Sequence, residues 1–478
     1  MAWCAWPAPA GRADGSPGGG RYPGHMPLRF VIIGGGPAGN TAATTAARLG
    51  AEVTMVEREI VGGAAHLRDC IPSKAMIATA GAMGDVEASA GMGLSVPPAH
   101  LDLEGLRNRI KMIEARLEHN VVDLLRSQDV RMIQGTARLK GPHEVVVDTP
   151  EGVRELEADA ILLSTGSRPR IPDWAPIDGD RVLTTRDAYP PVEMPDHLVV
   201  IGSGVTGVEF VHMFSSLGSR VTLIVSRQQV LPQKDPEVAA ALEAELLRRG
   251  VQLLKGARAE VIDRTDEGVA VRCSDGRVAT GSHALLAIGS IPNSDGLGLD
   301  AAGVEVDAGG YVPVNHHCVT NVSHIYAAGD LSGKLPLSSV ASMQGRKVAE
   351  HAMGLHTRVH RHLDYDKAAS AIFTEPEIAD VGLAEADAFA GGRKLRVTKV
   401  PFSASAKALI NNETTGFVKI LSDPATGVVL GGSIVGHQAA ELISVLAVAV
   451  TNGLRVNDIV ESLLVHPSLA EALADAAE

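Results

Sequence analysis

Cysteine is scarce in this sequence, and the cysteines present share no recognisable motif. They lie at positions 4, 70, 273 and 318 of 478 residues, so they form neither a CxxC motif nor a group with the spacing of metal ligands. This pattern favours a protein of the reducing cytoplasm over a secreted, disulfide-stabilised domain. The sequence therefore predicts a cytoplasmic protein without a metal site.

Clustered basic residues and long apolar runs are also missing. The net charge is -13, and Lys and Arg form no patch of the kind that binds phosphates, so no nucleic-acid partner is expected. The strongest apolar run, 442–450, falls short of the roughly 18 to 20 residues that a membrane span needs, which predicts a buried helix and no integral membrane segment. At about 150 residues per domain, the length predicts roughly three domains.

The first 27 residues lack any hydrophobic period. They are dense in Gly and Pro, and they have neither the basic start nor the continuous apolar stretch of a signal peptide. Such a segment cannot bury enough apolar area to offset the entropy of ordering it. We expect residues 1–27 to be a disordered N-terminal extension, with Met26 as a candidate translation start.

A glycine-rich turn between two apolar stretches begins near residue 34. The segment LRFVIIGGGPAGNTAATTAARLGAEVTMVERE reads as a strand, a turn, an Ala-rich helix and a second strand that ends in an acid. In such a βαβ unit the three motif glycines permit a tight turn, close approach of backbone N–H groups to a pyrophosphate, and close helix–strand packing. The terminal acid is placed to accept hydrogen bonds from a ribose diol. The candidate cofactor-binding residues of this unit are Gly34, Gly36, Pro37, Ala38, Gly39 and Glu57.

A second unit of the same kind follows in HLVVIGSGVTGVEFVHMFSSLGSRVTLIVSRQQVL. Its second strand ends in Ser226 and Arg227 rather than in an acid, so no carboxylate is placed to hold a free ribose 2′-hydroxyl. An Arg there suits a 2′-phosphate, which favours NADPH over NADH, but a solvated surface Arg would look the same and NADH stays open. The candidate cofactor-binding residues are Gly202, Gly204, Val205, Thr206, Gly207, Ser226 and Arg227. Two nucleotide sites predict one permanent and one diffusing cofactor.

The stretch between these units, 61–74, reads VGGAAHLRDCIPSK. It resembles the pyridine nucleotide–disulfide oxidoreductases, in which two cysteines separated by four residues lie against FAD as a redox-active disulfide. Here Cys70 matches the flavin-proximal sulfur, and Ala65 stands where the family has the exchange cysteine. The resemblance continues from residue 28 to the C-terminus through STGS, ALLAIGSIPN, IYAAGD and LLVHPSLAE.

The resemblance implies a fold class and a domain order. The fold class is α/β, with two Rossmann-like dinucleotide-binding domains, one for FAD and one for NAD(P), and a C-terminal α+β dimerisation domain that makes the protein a homodimer. The expected domains are an FAD-binding domain in two parts, an NAD(P)-binding domain and a dimerisation domain. Their expected bounds are 28–170 and 296–362 for FAD, 171–295 for NAD(P), and 363–478 for dimerisation.

The resemblance also implies site residues. In the family the lysine of the PSK segment meets a glutamate of the second nucleotide helix beside the flavin, which here are Lys74 and Glu209. A His–Pro motif with an orienting acid reaches the flavin site of the other subunit, which here are His466 and Glu471. With Cys70, these are the candidate catalytic residues. Further candidate cofactor-binding residues are Gly63, Lys74, Ala137, Thr165, Gly166, Gly289, Asp330, Leu337 and Ser338.

The alanine at position 65 changes the expected reaction. Thiol exchange passes through a mixed disulfide that a second thiol must resolve, and neither Cys273 nor Cys318 is obviously placed to supply it. The GGAA segment resembles a branch that reduces quinones with NAD(P)H, so the sequence predicts hydride transfer from NAD(P)H through FAD directly to a quinone-type acceptor.

Two alternatives stay open. In the first alternative, the chain is a dihydrolipoyl dehydrogenase or other disulfide reductase. His466 and Glu471 favour this alternative, because that pair protonates a thiolate in the family. In the second alternative, the chain is a low-turnover redox-sensing flavoprotein subunit. The sequence has SSVAS where dihydrolipoamide dehydrogenases commonly have LAHKA, which weakens the lipoamide assignment. His466 and Glu471 are therefore either catalytic or structural.

Overall fold

A computed structural model describes residues 26–355 and 363–478. Most of the expected disordered extension, residues 1–25, lies outside the described residues. Met26 and Pro27 belong to no helix or strand.

The α-helices of the described chain carry numbers in chain order. They are α1 (Pro37–Arg48), α2 (Ile71–Ala88), α3 (Leu103–Ser127), α4 (Val205–Ser216), α5 (Pro236–Arg248), α6 (Ser338–Ala352), α7 (Glu385–Ala390), α8 (Ala406–Asn411), α9 (Ala439–Asn452), α10 (Val456–Val460) and α11 (Glu471–Ala477). A π-helical turn, Ala65–Cys70, leads directly into α2.

The strands are numbered in the same way. They are β1 (Arg29–Ile33), β2 (Glu52–Glu57), β3 (Arg131–Gln134), β4 (Thr136–Gly141), β5 (Glu144–Thr149), β6 (Gly152–Glu157), β7 (Ala160–Leu163), β8 (Ser167–Pro169), β9 (Val182–Thr184), β10 (His197–Ile201), β11 (Arg220–Val225), β12 (Gln252–Lys255), β13 (Ala259–Thr265), β14 (Gly268–Cys273), β15 (Val278–Gly281), β16 (His283–Leu286), β17 (Ser290–Pro292), β18 (Ile325–Ala327), β19 (Ser370–Ile372), β20 (Glu377–Gly382), β21 (Arg396–Pro401), β22 (Phe417–Ser422) and β23 (Val429–Gly436).

The first sheet is parallel and has the order β18-β7-β1-β2-β3. Strands β1, β2, β7 and β18 are short and mostly buried on both faces, as parallel strands are when helices cover both sides, whereas the edge strand β3 is partly exposed. Helices α1 and α6 cross closely on one face, because Gly345 carries no side chain that would overlap the carbonyl of Ala38. Strand β18 joins this sheet from far along the chain, after the whole second sheet.

The second sheet repeats this design. Its order is β12-β11-β10-β16-β9, and all of its strands are parallel. Antiparallel three-stranded sheets accompany both parallel sheets, β4-β5-β6 the first and β13-β14-β15 the second. Each glycine motif lies where the first central strand meets its helix, so both nucleotide units predicted from the sequence have the expected strand–turn–helix form.

The C-terminal part is built on an antiparallel sheet with the order β19-β20-β23-β22-β21. Helix α9 contains the apolar run 442–450 and buries Ile443, Leu446, Ala449 and Val450 against this sheet. Among the described residues, no helix is both long and apolar enough to span a membrane.

One apolar cluster crosses all three parts of the chain. It joins Met76 of α2, Phe210 and Phe214 of α4, and Phe417 and Val435 of the C-terminal sheet. Close packing of these side chains holds the helix that follows the π-helical turn against the second nucleotide unit. A large cavity, lined by residues of all three parts of the chain, lies beside this cluster.

Candidate active site

A cavity of about 790 Å³ lies at the carboxyl ends of the first sheet, which is where ligands bind in open parallel sheets. Of the residues predicted from the sequence, those that line it are Gly34, Gly36, Pro37, Ala38, Glu57, Gly63, Cys70, Lys74, Ala137, Thr165, Gly166, Val205, Thr206, Glu209, Gly289, Asp330, Leu337 and Ser338. The predicted residues outside its lining are Gly39, Gly202, Gly204, Gly207, Ser226, Arg227, His466 and Glu471.

Glycines leave room for a phosphate at the start of α1. Gly34 adopts a φ of +105°, where an L side chain is strained, and any Cβ there would overlap the carbonyl of Ser164. A Cβ on Gly63 would come within 2.6 Å of the Cα of Gly36. Gly36 is the N-cap of α1 and offers no side-chain cap, so the free backbone N–H groups of the first turn face the cavity. This arrangement fits the pyrophosphate of a dinucleotide.

Two acids are held in the cavity wall by short hydrogen bonds. The carboxylate of Glu57 accepts hydrogen bonds from the backbone N–H groups of Gly35 at 2.7 Å and Glu59 at 2.8 Å. The carboxylate of Asp330 accepts one from the hydroxyl of Ser167 at 2.6 Å. Each carboxylate keeps lone pairs for a ligand hydroxyl, as a ribose and a ribityl chain would require.

The π-helical turn presents one face to the cavity. Because a π-helix is bonded from residue i to residue i+5, side chains four and five positions apart overlap on the same side. Ala65, His66, Asp69 and Cys70 accordingly line the cavity, whereas Leu67 is buried behind them. The methyl group of Ala65 and the thiol of Cys70 thus share a wall of the cavity.

Cys70 is a neutral thiol in this setting. Burial raises the pKa of the Cys70 thiol, and the charge of nearby Lys74 offsets this only in part. The thiolate is the nucleophilic form of cysteine, so the thiol has little nucleophilic character near neutral pH. The other cysteines among the described residues, Cys273 and Cys318, are buried and lie outside the cavity lining.

Lys74 and Glu209 meet although they come from separate motifs. The Lys74 ammonium donates a hydrogen bond to the Glu209 carboxylate at 2.9 Å, and the backbone N–H of Phe373 donates to the other oxygen at 3.0 Å. The ammonium also lies 4.8 Å from the centroid of the Phe373 ring. A half-buried cation is thereby placed in the cavity wall with its counter-ion satisfied.

Sequence reasoning missed an ion pair beside Cys70. Arg186 binds both oxygens of Asp69 at 3.1 and 3.2 Å. Burial raises the pKa of Asp69, and Arg186 partly offsets the shift. Tyr189, which stacks on Phe210 at 4.8 Å between ring centroids, lines the cavity close by, and burial raises the pKa of its hydroxyl well above the usual value. Asp69 lies inside 61–74, but no spacing in the sequence indicates Arg186 or Tyr189.

His466 and Glu471 lie together but away from the cavity. The His466 Nδ1 is 2.6 Å from a Glu471 oxygen, and the backbone N–H of Ser468 donates to the other oxygen. Hydrogen bonds from Ser468 and His466 lower the pKa of the Glu471 carboxyl. The imidazole is 75% exposed, beside the exposed side chains of Leu463 and Val465. Neither residue lines the cavity of its own chain.

The second nucleotide unit has the same glycine geometry as the first. Gly202 has a φ of +110°, and a Cβ on Gly207 would overlap the carbonyl of Gly202. Ser226 and Arg227 follow β11 as exposed residues, at the strand end where the first unit has Glu57. The exposed guanidinium is available to a ligand phosphate.

Two family models match the chain. Residues 28–345 match the model described as pyridine nucleotide-disulphide oxidoreductase, and residues 368–477 match the dimerisation domain of the same name. A Mycobacterium tuberculosis protein named NAD(P)H dehydrogenase (quinone) is 41% identical over 95% of this chain and 94% of its own length. A Bacillus subtilis dihydrolipoyl dehydrogenase is 32% identical over 94% of this chain and 98% of its own length.

Solved structures agree with these matches. The crystal structure of LpdA from M. tuberculosis superposes with a TM-score of 0.90 at 40% identity, covering 94% of this chain and 99% of that one. The HOCl-induced flavoprotein disulfide reductase RclA from Escherichia coli superposes with a TM-score of 0.84 at 26% identity, covering 94% of this chain and 99% of that one. The predicted fold class is confirmed: an α/β protein with two Rossmann-like nucleotide domains and a C-terminal dimerisation domain.

Proposed function

The chain belongs to the pyridine nucleotide-disulphide oxidoreductase family, and we propose that it is an NAD(P)H:quinone oxidoreductase. Members of this family use FAD and NAD(P)H, so the predicted oxidoreductase class and cofactors are confirmed. The acceptor, the site residues and the domain bounds are proposals. The overall reaction is NAD(P)H + H⁺ + quinone → NAD(P)⁺ + hydroquinone.

The observation that carries this proposal is the absence, among the residues that the structure describes, of a second thiol beside Cys70. Ala65 occupies the cavity wall, and Cys70 is held as a protonated thiol by burial. A disulfide acceptor would need a thiolate and then a resolving thiol, whereas a quinone takes a hydride or single electrons without either. The M. tuberculosis relative, which is 41% identical, carries quinone in its name.

The residues around the cavity have distinct proposed roles. Bound FAD supplies the redox chemistry that amino-acid side chains lack. The glycine turn at Gly34 and Gly36 binds the pyrophosphate, and Glu57 and Asp330 bind hydroxyl groups of the ribose and the ribityl chain. Lys74, held by Glu209, places a positive charge in the cavity wall where it stabilises an electron-rich ligand.

We also infer a homodimer. The dimerisation-domain match covers 368–477, and the His466–Glu471 pair is exposed beside Leu463 and Val465, whose side chains are exposed too. The family resemblance implies that His466 then reaches the cavity of the second copy. Sedimentation should give twice the chain mass, and a monomer would contradict the inference. We further propose that the protein acts in the cytoplasm.

The test is anaerobic stopped-flow spectroscopy of the FAD-loaded protein. NADPH should bleach the flavin absorbance, and menadione or benzoquinone should then restore it rapidly, whereas lipoamide and glutathione disulfide should not. Rapid recovery with lipoamide would establish the disulfide-reductase alternative, which the dihydrolipoyl dehydrogenase relatives and the His466–Glu471 pair support. Recovery with quinones no faster than with air would favour the low-turnover subunit.

The variant Cys70→Ala sharpens this test. If no thiol lies in the electron path, quinone reduction should stay within about twofold of the parent protein, because the substitution removes a neutral thiol that is not activated. A loss of quinone reduction of tenfold or more, with FAD content unchanged, would place Cys70 in the path and contradict the proposal.

A further inference from the structure

The ion pair beside Cys70 leaves part of its arginine free. Two nitrogens of Arg186, Nε and Nη2, donate to the Asp69 carboxylate at 3.1 and 3.2 Å. The third nitrogen, Nη1, donates to no group among the described residues, and it is not shielded from solvent. The side chain is 31% exposed and lines the cavity. The guanidinium therefore offers N–H donors to a ligand in the cavity.

Arg186 belongs to the second nucleotide unit, although its carboxylate partner lies in the first. It follows β9 by two residues, and β9 is an edge strand of the parallel sheet β12-β11-β10-β16-β9. Ligands of open parallel sheets bind outside the carboxyl ends of the strands. Arg186 thus lies on the ligand-binding edge of this sheet, the same edge that carries the glycine turn after β10.

The strand order gives the direction in which a dinucleotide would lie. Its pyrophosphate fits the glycine turn after β10, and its adenosine half fits the end of β11, where Ser226 and Arg227 lie outside the cavity lining. The nicotinamide half must then point the other way, over β16 and β9. Residues that follow these two strands, including Gly289 and Arg186, do line the cavity. Adjacent strands lie about 4.8 Å apart, so β9 is about 10 Å from β10, a span that a nicotinamide ribose and ring can cover.

We propose that Arg186, paired with Asp69, binds an oxygen atom of the nicotinamide half of NAD(P)H. The planar guanidinium uses one edge for the carboxylate and keeps its remaining N–H groups for a carbonyl, hydroxyl or phosphate oxygen. Because the carboxylate balances its charge, Arg186 adds little repulsion toward the positively charged ring of the oxidised nucleotide. This inference deepens the proposed function on the donor side, and it rests on NAD(P)H as the donor but not on quinone as the acceptor.

The test separates the two halves of the nucleotide. The probes are 2′,5′-ADP, which lacks the nicotinamide half, and reduced nicotinamide mononucleotide, which lacks the adenosine half. In calorimetric titrations of the oxidised, FAD-loaded protein, Arg186→Met should raise the Kd for NADP⁺ and for NAD⁺ about tenfold, the effect of one lost hydrogen bond to a charged group. The Kd for 2′,5′-ADP should not change. The second-order rate constant of flavin reduction by reduced nicotinamide mononucleotide should fall about tenfold.

The matched control is Arg181→Met. Arg181 lies at the other end of β9, its side chain is 33% exposed, and it pairs with Glu193 at 2.9 Å, but it lies outside the cavity lining. This variant should change none of the measured quantities. A second variant, Arg186→Lys, can keep the ion pair with Asp69 but loses the planar fork, so the Kd for NADP⁺ should rise about threefold or more.

An unchanged Kd for NADP⁺ in Arg186→Met overturns the inference. Weaker binding of 2′,5′-ADP or loss of FAD also overturns it, because the arginine would then support the fold and not the nicotinamide half. If Arg186→Met does not fold, Arg186→Lys decides the matter, and binding of NADP⁺ as tight as in the parent overturns the inference. The titrations use no acceptor, so a parent protein that fails to reduce quinones would contradict the proposed function and leave this inference intact.

Discussion

Replacing Lys419 with methionine should break an ion cluster around a buried cation that joins the second nucleotide unit to the C-terminal sheet. Lys419 lies on β22, and its side chain is only 1% exposed. Its ammonium donates to Asp235 at 2.9 Å, to Glu237 at 3.1 Å and to Glu385 at 2.9 Å. Burial alone would lower the pKa of Lys419, but the hydrogen-bonded carboxylates outweigh it and raise the pKa, so the cation persists.

The expected cost follows from what methionine leaves behind. The carboxylate of Asp235, which is 8% exposed, would stay buried without its cation, whereas Glu237 and Glu385 are 41% and 44% exposed and remain screened by water. Removing one partner of a buried pair costs about 3–5 kcal/mol, and the screening places this variant near the lower end, at about 3 kcal/mol. Lys399 is the matched control, since it also binds Glu237 but is 45% exposed. An exposed pair contributes about 0–1 kcal/mol.

Urea unfolding of the FAD-loaded proteins, followed by far-UV circular dichroism, measures the difference. With a slope of about 3 kcal/mol per molar urea, Lys419→Met should lower the midpoint of the first transition by about 1 M or more. Lys399→Met should lower it by no more than about 0.3 M. Equal midpoints for the two variants would refute the reasoning, because burial of the cation would then carry no energetic weight.

Three further predictions concern pH and cofactor binding. Burial lowers the pKa of His212 to about 4 from an ordinary 6.5, so protonation of this histidine favours the unfolded chain. The free energy of unfolding should therefore fall by about 3 kcal/mol as the pH drops from 6.5 to 4. In urea titrations, His212→Gln should show a weaker dependence of this free energy on pH. Arg227→Ala should raise the KM for NADPH about tenfold and leave the KM for NADH unchanged, and equal KM changes would disprove a 2′-phosphate contact. A Cβ on Gly39 would overlap the carbonyl of Gly34, and a Cβ on Gly207 would overlap the carbonyl of Gly202. Gly39→Ala should therefore purify with less FAD, as measured by flavin absorbance. Gly207→Ala should keep its FAD but lose flavin reduction by NADPH.

Features of the fold and the cavity that depend on short sequence motifs were easier to predict than contacts between residues far apart in the sequence. The glycine turns and the neighbourhood of Cys70 follow from short segments whose backbone requirements are strict. The meeting of Lys74 with Glu209 was implied by the family resemblance of the two motifs that carry them, and their side chains lie 2.9 Å apart.

The Asp69–Arg186 pair spans 117 positions and belongs to no motif, so nothing in the sequence joins its members. His466, by contrast, lies outside the cavity lining of its own chain, as expected from a resemblance in which this histidine reaches the other subunit.

The late return of β18 to the first sheet has a consequence for synthesis of the protein. Strands β1, β2, β3 and β7 are all synthesised by the time the chain reaches Leu163. Strand β18 and Asp330 are synthesised only after the complete second nucleotide unit. The growing chain must therefore hold an unfinished sheet, with the edge of β7 exposed, while the second unit folds as an insertion. Flavin capture can be complete only after this edge is closed, so shortening the chain at residue 295 would remove both the edge strand and an acid of the cavity wall.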